Sequence, residues 1–241
     1  MVKQERSART VERLLWSAAE QVDRRGFTAA SLADVSRAAG VTKGALFFHF
    51  PTKQALAEAI QARGDDVLEE VVGDLRQERD SALETLVDVT RAFNRLLRED
   101  PFVRASVRVT RERPAGEEPS VHDLYTRWLA QCCRLLDDAR AGGELGRAVA
   151  DASARTLVTA TVLGLETLAW MGYAQTEAER WLDGVWRLLL PLLAPDTDWT
   201  AVTDSAAPDG TAPAGTADAD RASPGDGGPG LPEPRASRDR S

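Results

Sequence analysis

Ser31-Leu32-Ala33-Asp34-Val35-Ser36-Arg37-Ala38-Ala39-Gly40-Val41-Thr42-Lys43-Gly44-Ala45-Leu46-Phe47-Phe48-His49-Phe50 is the stretch that decides the fold. Ser31 offers an N-cap hydroxyl for a short helix over 32–39, Gly40 breaks it, and Thr42 caps a second over 43–49. Leu32, Val35, Val41 and Leu46 are spaced to pack the two helices on each other. Ser36 and Ala39 are small enough for close approach, and Gly40 permits a positive φ at the turn. The product is a helix-turn-helix. Its second helix turns Thr42, Lys43, Gly44, Ala45 and Phe47 outward from an N-terminal half whose unpaired N–H groups and dipole suit a phosphate. Gly44 and Ala45 leave room for that backbone to approach a groove. Phe48 and Phe50 are expected in the core.

Outward from this stretch the whole chain reads as helix. Before it, Val11, Leu14, Leu15, Ala18, Ala19 and Val22 repeat at the spacing of an amphipathic helix that Gly26 stops. After it, Pro51-Thr52 starts a long helix over about 53–79 with Leu56, Ile60, Val67, Val71 and Leu75 on one face and Gly64 as a weak point or kink. Further helices are expected at about 81–98, 102–111, 120–141, 150–172 and 177–193. Residues 113–119 form a loop, and Gly142-Gly143 ends the helix before it. No segment alternates with the period of a strand, so the fold class is all-α.

The last two helices are apolar on more than one side, as Leu157 to Leu165 and Trp181 to Leu193 illustrate. Such helices need burial on two faces. One face is expected to meet the chain's own core and the other a second copy, giving a homodimer through residues 150–193. A buried central helix in a monomer is the alternative.

The chain has 241 residues and a net charge of −8. Residues 1–63 carry 10 Lys/Arg against 6 Asp/Glu, a charge of +4. Residues 64–194 carry −7 and residues 195–241 carry −5. A basic head on an acidic body points to a polyanion at one end. The adjacent pair Cys132-Cys133 fits neither a disulfide framework nor a metal spacing, and no metal or cofactor is expected. The longest apolar run, Leu157 to Met171, carries Glu166 and falls short of the roughly 20 residues of a membrane span. No leader-like apolar run follows Met1, so a cytoplasmic protein is expected. From about Pro195 the composition turns to Pro, Gly, Ala and Asp, read as a disordered tail. The domains are thus 1–52 for the head, 53–194 for the body and 195–241 for the tail.

Gly40 to Lys53, preceded by Gly26-Phe27-Thr28 and Ser31-Leu32, resembles the DNA-binding domain of TetR-family transcriptional regulators over about residues 7–60. The resemblance implies a homodimeric repressor on a pseudo-palindromic double-stranded operator. It implies that Thr28, Ser31, Thr42, Phe47, His49 and Lys53 touch phosphates and that Lys43, Gly44 and Ala45 lie in the major groove. Tyr is usual in the family where this chain has Phe47, so that contact becomes apolar. Arg6, Arg9 and Arg13 on the first helix are further candidates for the DNA backbone.

A narrower resemblance extends into the body. Thr42 to Phe50, Val103 to Val109, Trp128 and Trp186 to Pro191 are similar to the γ-butyrolactone autoregulator receptors of actinobacteria, TetR-type repressors of antibiotic production and differentiation. It implies an apolar effector pocket with Trp128 in its wall and Thr161 bonding the ligand. On helical spacing, Leu86, Phe93, Leu97, Val107, Val158, Val162 and Leu165 would line the same space. Trp128 also fits a plain core position, and Thr161 also fits a bond to its own helix four residues back. Several such receptors carry glutamine near the position of Gly64, a departure that leaves room for a pseudo-receptor with another ligand. Glu166 within its apolar helix leans toward a drug-responsive efflux repressor, or pairs with an arginine at the dimer seam. An enzyme is the remote alternative. There is no phosphate loop and no nucleophile elbow, and His122 beside Asp123 has no nucleophile near it in sequence.

Overall fold

The computed structural model describes residues 2–114, 116, 118–200 and 202, with side chains from residue 7 onward. Nine α-helices and no strand occur among them: α1 Val2–Arg25, α2 Leu32–Ala38, α3 Lys43–His49, α4 Lys53–Glu78, α5 Ala82–Glu99, α6 Pro101–Arg111, α7 Leu124–Ala141, α8 Asp151–Trp170 and α9 Gln175–Leu193. The all-α expectation holds, and most boundaries fall within two residues of those read from the sequence.

Local chemistry sets those boundaries. Gly26, at φ +86°, ends α1 in a conformation other residues rarely adopt. Ser31, Thr42, Thr52 and Ser81 each accept a bond from the N–H three residues on, at the starts of α2, α3, α4 and α5. Asp100 accepts from the N–H groups of Phe102 and Val103, both at 2.9 Å, with Pro101 opening α6. α7 starts at Leu124, later than expected, because Asp123 caps it through the Thr126 N–H at 3.1 Å.

Two apolar cores result. The head's core joins Leu14, Ala18, Val22, Val35, Leu46 and Phe50 to Leu56, Ala57 and Ile60 of α4 and to Phe102, Ala105 and Val109 of α6. The body's core joins Leu68 and Val72 of α4 and Val103 and Val107 of α6 to α5, α7, α8 and α9. A boundary at residue 52 therefore cuts through the head's core, since α4 and α6 each serve both clusters on successive turns.

Three expectations are corrected here. The buried face of α4 runs through Leu56, Ile60, Gly64, Leu68 and Val72, while Val67 and Leu75 only edge the core. α4 runs unbroken through Gly64. A Cβ there would lie 2.6 Å from Ser106 Oγ and 3.3 Å from the Phe102 carbonyl, so the glycine lets α4 and α6 approach closely. The packed chain also runs beyond 195: Trp199 is buried in the body's core and its Nε1 donates to the Ala194 carbonyl at 3.0 Å. The tail from 203 to 241 lies outside the described residues. No described helix is long and apolar enough to cross a membrane.

Candidate functional site

The helix-turn-helix forms as its spacing dictates. Leu46 is fully buried, Val35 nearly so, and Leu32 and Val41 pack at the edge of the same cluster. Ser36 is buried with its hydroxyl on the Ala33 carbonyl at 3.0 Å. Gly40 adopts φ +61°. Arg13 is exposed, and its guanidinium donates to the Ala39 carbonyl, which steadies the turn.

α3 projects its N-terminal half from this frame. Thr42 Oγ1 accepts the Ala45 N–H at 3.2 Å. Lys43 and Gly44 are exposed, and beyond Gly44's own helix backbone and neighbours no described residue lies within 4 Å of where a side chain there would begin. Ala45 is half-buried. Lys43 Nζ stands 5.7 Å from the Phe47 ring centre, and Phe47 is 40% exposed. His49 is half-buried in the last turn. Phe50 is buried as expected, but Phe48 is 83% exposed and packs only edge-on against His49, at 5.1 Å between centroids. Its placement in the core is therefore corrected. Three phenylalanines within four residues, separated only by His49, fall on every side of a short helix, so periodicity does not assign their faces.

The flank of this surface is the turn between α1 and α2. Lys53 Nζ, at the start of α4, donates to the Thr28 carbonyl at 2.8 Å and lies 4.7 Å from the Phe27 ring centre. Ser31 is occupied locally: Oγ donates to Asp34 Oδ2 at 2.8 Å and accepts the Asp34 N–H at 3.1 Å. With Arg37 and Arg25 beside it, that arrangement holds the Asp34 carboxyl below its ordinary value, Ser31 contributing most. Thr28 directs its N–H to Glu112 Oε2 at 2.7 Å. Glu112 gave no sign in the sequence, lying 84 residues away in an unremarkable loop edge.

Eight of the nine body positions expected around the effector come together. Leu86, Phe93, Val107, Trp128, Val158, Val162 and Leu165 are all buried in one cluster, with Leu97 beside them. Phe93 and Trp128 stack at 4.4 Å between centroids. Trp128 is fully buried, and its Nε1 has no hydrogen-bond acceptor among the described residues. Asn94 is fully buried as well, and its Nδ2 also lacks an acceptor. A buried donor without a partner costs about 1–3 kcal/mol and calls for an explanation such as an absent ligand. Thr161 is the exception. Its hydroxyl donates to the Leu157 carbonyl at 2.9 Å, and it lines a groove of about 370 Å³ between α8 and α9 with Leu157, Gly164, Trp181 and Val185.

That groove belongs to the outer apolar face. Leu188 is 72% exposed and Leu192 67%, with Leu163, Trp181 and Val185 also open. The inner faces of the same helices carry Ala154, Val158, Leu182, Trp186 and Leu190 into the core. Trp186 Nε1 donates to Thr90 Oγ1 at 2.8 Å. Glu166 is buried and faces inward, not at an outer seam. Arg111 of α6 holds it at 2.5 Å and stacks 4.4 Å from the Trp170 ring centre. Burial, with Glu166 beside it, pushes the neighbouring Tyr125 hydroxyl far up from its ordinary value.

His122 and Asp123 also serve structure. His122 Nδ1 lies 3.0 Å from the buried Asp65, which Arg127 also grips at 2.9 Å. Asp123 accepts from Thr110 at 3.0 Å and Arg113 at 3.1 Å.

Comparison with known proteins agrees with this geometry. The model of the bacterial regulatory proteins of the tetR family matches residues 14–60. The A-factor receptor protein of Streptomyces griseus is 27% identical over 196 residues, 80% of this chain and 67% of that protein. The TetR-family protein CprB from Streptomyces coelicolor, solved with its biological operator sequence, is 30% identical with a TM-score of 0.67, covering 83% of this chain and 96% of that one. A γ-butyrolactone receptor described as ArpA-like is 28% identical with a TM-score of 0.66, covering 83% of this chain and 98% of its own. The capped helix-turn-helix, the nine-helix architecture and these matches together establish that the chain belongs to the TetR family of bacterial transcriptional regulators.

Proposed function

We propose that the chain is a homodimeric repressor that binds a pseudo-palindromic operator and leaves it when a small apolar effector of the γ-butyrolactone type occupies the body. The observation that carries the reading is the N-terminal half of α3. There Lys43, Gly44 and Phe47 are open to solvent on a helix whose base is locked into the head's core. Lys43, Gly44 and Ala45 enter the major groove, with Phe47 and Phe48 against sugars or thymine methyls. Thr42, Ser31, His49 and Lys53 meet phosphates. The +4 charge of residues 1–63 steers the head to DNA despite an acidic whole.

The outer face of α8 and α9 joins two copies, so that two heads read half-sites about one DNA turn apart. The effector sits against Trp128, whose unpaired Nε1 suits a carbonyl oxygen. α4 and α6 share their turns between head and body, so a change in the body's core moves the heads. The effector acts only through its higher affinity for the released state. The reading assigns no catalytic step to the chain and places it in the cytoplasm with its DNA.

A second reading is favoured by Gly64. Ser106 and Phe102 fill the space that any side chain there would need, and Gln61, one turn earlier, is spent on Thr110 at 3.2 Å. An amide at position 64 that would hold a lactone therefore has no counterpart, which fits a pseudo-receptor for another apolar ligand.

A gel shift with DNA upstream of the chain's own gene tests both. Retardation that a synthetic γ-butyrolactone abolishes supports the first reading. Retardation indifferent to the lactone but relieved by a culture extract supports the second. Absence of retardation would remove the operator from both.

A further inference from the structure

The turn between α1 and α2 is tied from two sides, and the tie on the body's side is a carboxylate. Glu112, the C-cap of α6, accepts the Thr28 N–H at 2.7 Å. The Phe27 amide and the Thr28 hydroxyl lie near the same carboxylate and favour its ionised form. Gly26 packs against the same carboxylate, and a Cβ there would collide with it. On the other side Lys53 holds the Thr28 carbonyl and covers the Phe27 ring. The turn thus has little freedom of its own, and its position is that of the α4 start and the α6 end.

α6 in turn reports the state of the body. Arg111, the residue before Glu112, grips the buried Glu166 of α8. α8 supplies Val158, Val162 and Leu165 to the core around Trp128. Two consecutive side chains at one helix end therefore face opposite ways, one into the body and one onto the head. Although burial pushes the Glu112 carboxyl up, the two amides, the Thr28 hydroxyl and Arg108 together bring it below its ordinary value. It is ionised at neutral pH, and its hydrogen bonds are the stronger charge-assisted kind.

We propose that Glu112 is a positioning residue for DNA binding, which holds the turn at 26–28 in register with α3 and passes displacements of α6 to the head. Thr28 then serves as an anchor point for the head and not as a phosphate contact, and Ser31 and Lys53 are set by it. The proposal rests on the operator-binding reading above and adds to it a residue outside the head that the interface requires.

The experiment uses the full chain and a duplex that the wild-type protein selects from a random library. Glu112→Ala is expected to bind that duplex about tenfold more weakly, and the amides of Phe27 and Thr28 are expected to exchange faster with deuterium while those of α3 do not. Glu112→Gln, which keeps one acceptor oxygen and the side chain's volume, is expected to recover part of both losses. Arg104→Ala, which removes a 2.6 Å bond to Asp23 elsewhere on the same α1–α6 seam, is the control for general loosening, with affinity near wild type. Unchanged or tighter binding by both Glu112 variants overturns the proposal, and tighter binding would mean that the carboxylate competes with DNA. Equal losses in Glu112→Ala and Arg104→Ala overturn it in favour of a merely structural role. Lys43→Ala is measured alongside. If it too binds normally, the operator-binding reading has failed, and the exchange rates at Phe27 and Thr28 alone decide whether Glu112 holds the turn.

Discussion

Two exposed surfaces of this molecule carry large apolar groups, and they are built differently. The α3 face mixes a lysine, a hydroxyl, a bare glycine and two phenylalanines within seven residues, Thr42 to Phe48. The outer face of α8 and α9 offers Leu157, Leu163, Trp181, Val185, Leu188 and Leu192 with little charge among them. The first composition suits a charged polymer with a grooved surface, where the groove takes the lysine, sugars or methyls take the aromatics and a phosphate takes the hydroxyl. The second suits a surface like itself, where burial of apolar area supplies the attraction and salt has little effect. The lesson is that exposure alone does not name a partner; the neighbours of each exposed apolar group do.

The difference predicts different failures. The largest effect is expected from Val185→Glu combined with Leu188→Glu. Charges placed in an apolar interface cannot be buried unpaired, so the dimer should dissociate in sedimentation. A lone head loses the gain from linkage, and operator affinity should fall about a hundredfold or more. A dimer that survives would show that the contact between copies lies elsewhere.

Lys43→Ala comes next, with a loss of about tenfold and a relaxed base preference in each half-site, and with no change in oligomeric state. A uniform loss with a salt slope shallower by about one unit would place Lys43 on a phosphate and not on a base. Phe48→Ala should weaken operator binding about three- to tenfold while leaving thermal stability within roughly 0.5 kcal/mol, because the ring is exposed. A large drop in stability would return Phe48 to the core.

Trp128→Phe probes the interior that neither surface reaches. It keeps an aromatic ring beside Phe93 and removes the unpaired Nε1 together with part of the indole's volume. Operator binding should be unchanged, and a synthetic γ-butyrolactone should be needed at a several-fold higher concentration to release DNA. Equal response in the variant would leave the indole as packing only.

The smallest effect concerns pH. The folded carboxyl of Glu112 sits below its ordinary value, so its contribution is fully present above the unfolded pKa of about 4.3 and is lost as pH falls through the lower folded value. Operator binding between pH 6 and 8 should show no titration attributable to it. A break in that window that disappears in Glu112→Gln would contradict the assignment.

The helices were legible because their signals are local. Ser31, Thr42, Thr52 and Ser81 cap helices three residues away, and Gly26 and Gly40 take the positive φ that their neighbours could not. The resemblance in residues 40–53 placed the α3 face on the same local grounds. The body's core was legible in part, since eight of its nine named positions share one cluster. Thr161 fell on the other side of α8 because that helix is apolar nearly all round, and a period cannot orient a helix with two apolar faces.

By itself the sequence determined the all-α class, the helix-turn-helix with its caps and turn, and the two-faced character of the last helices. These follow from bonds and spacings within a few residues. The tertiary structure alone decided that Phe48 points outward, that α4 and α6 are shared between two cores, that Glu166 pairs with Arg111 inside the chain, and that Glu112 holds Thr28. Each of those depends on which side chain meets another tens of residues away, where hydrophobic burial fixes the pairing and no local pattern records it.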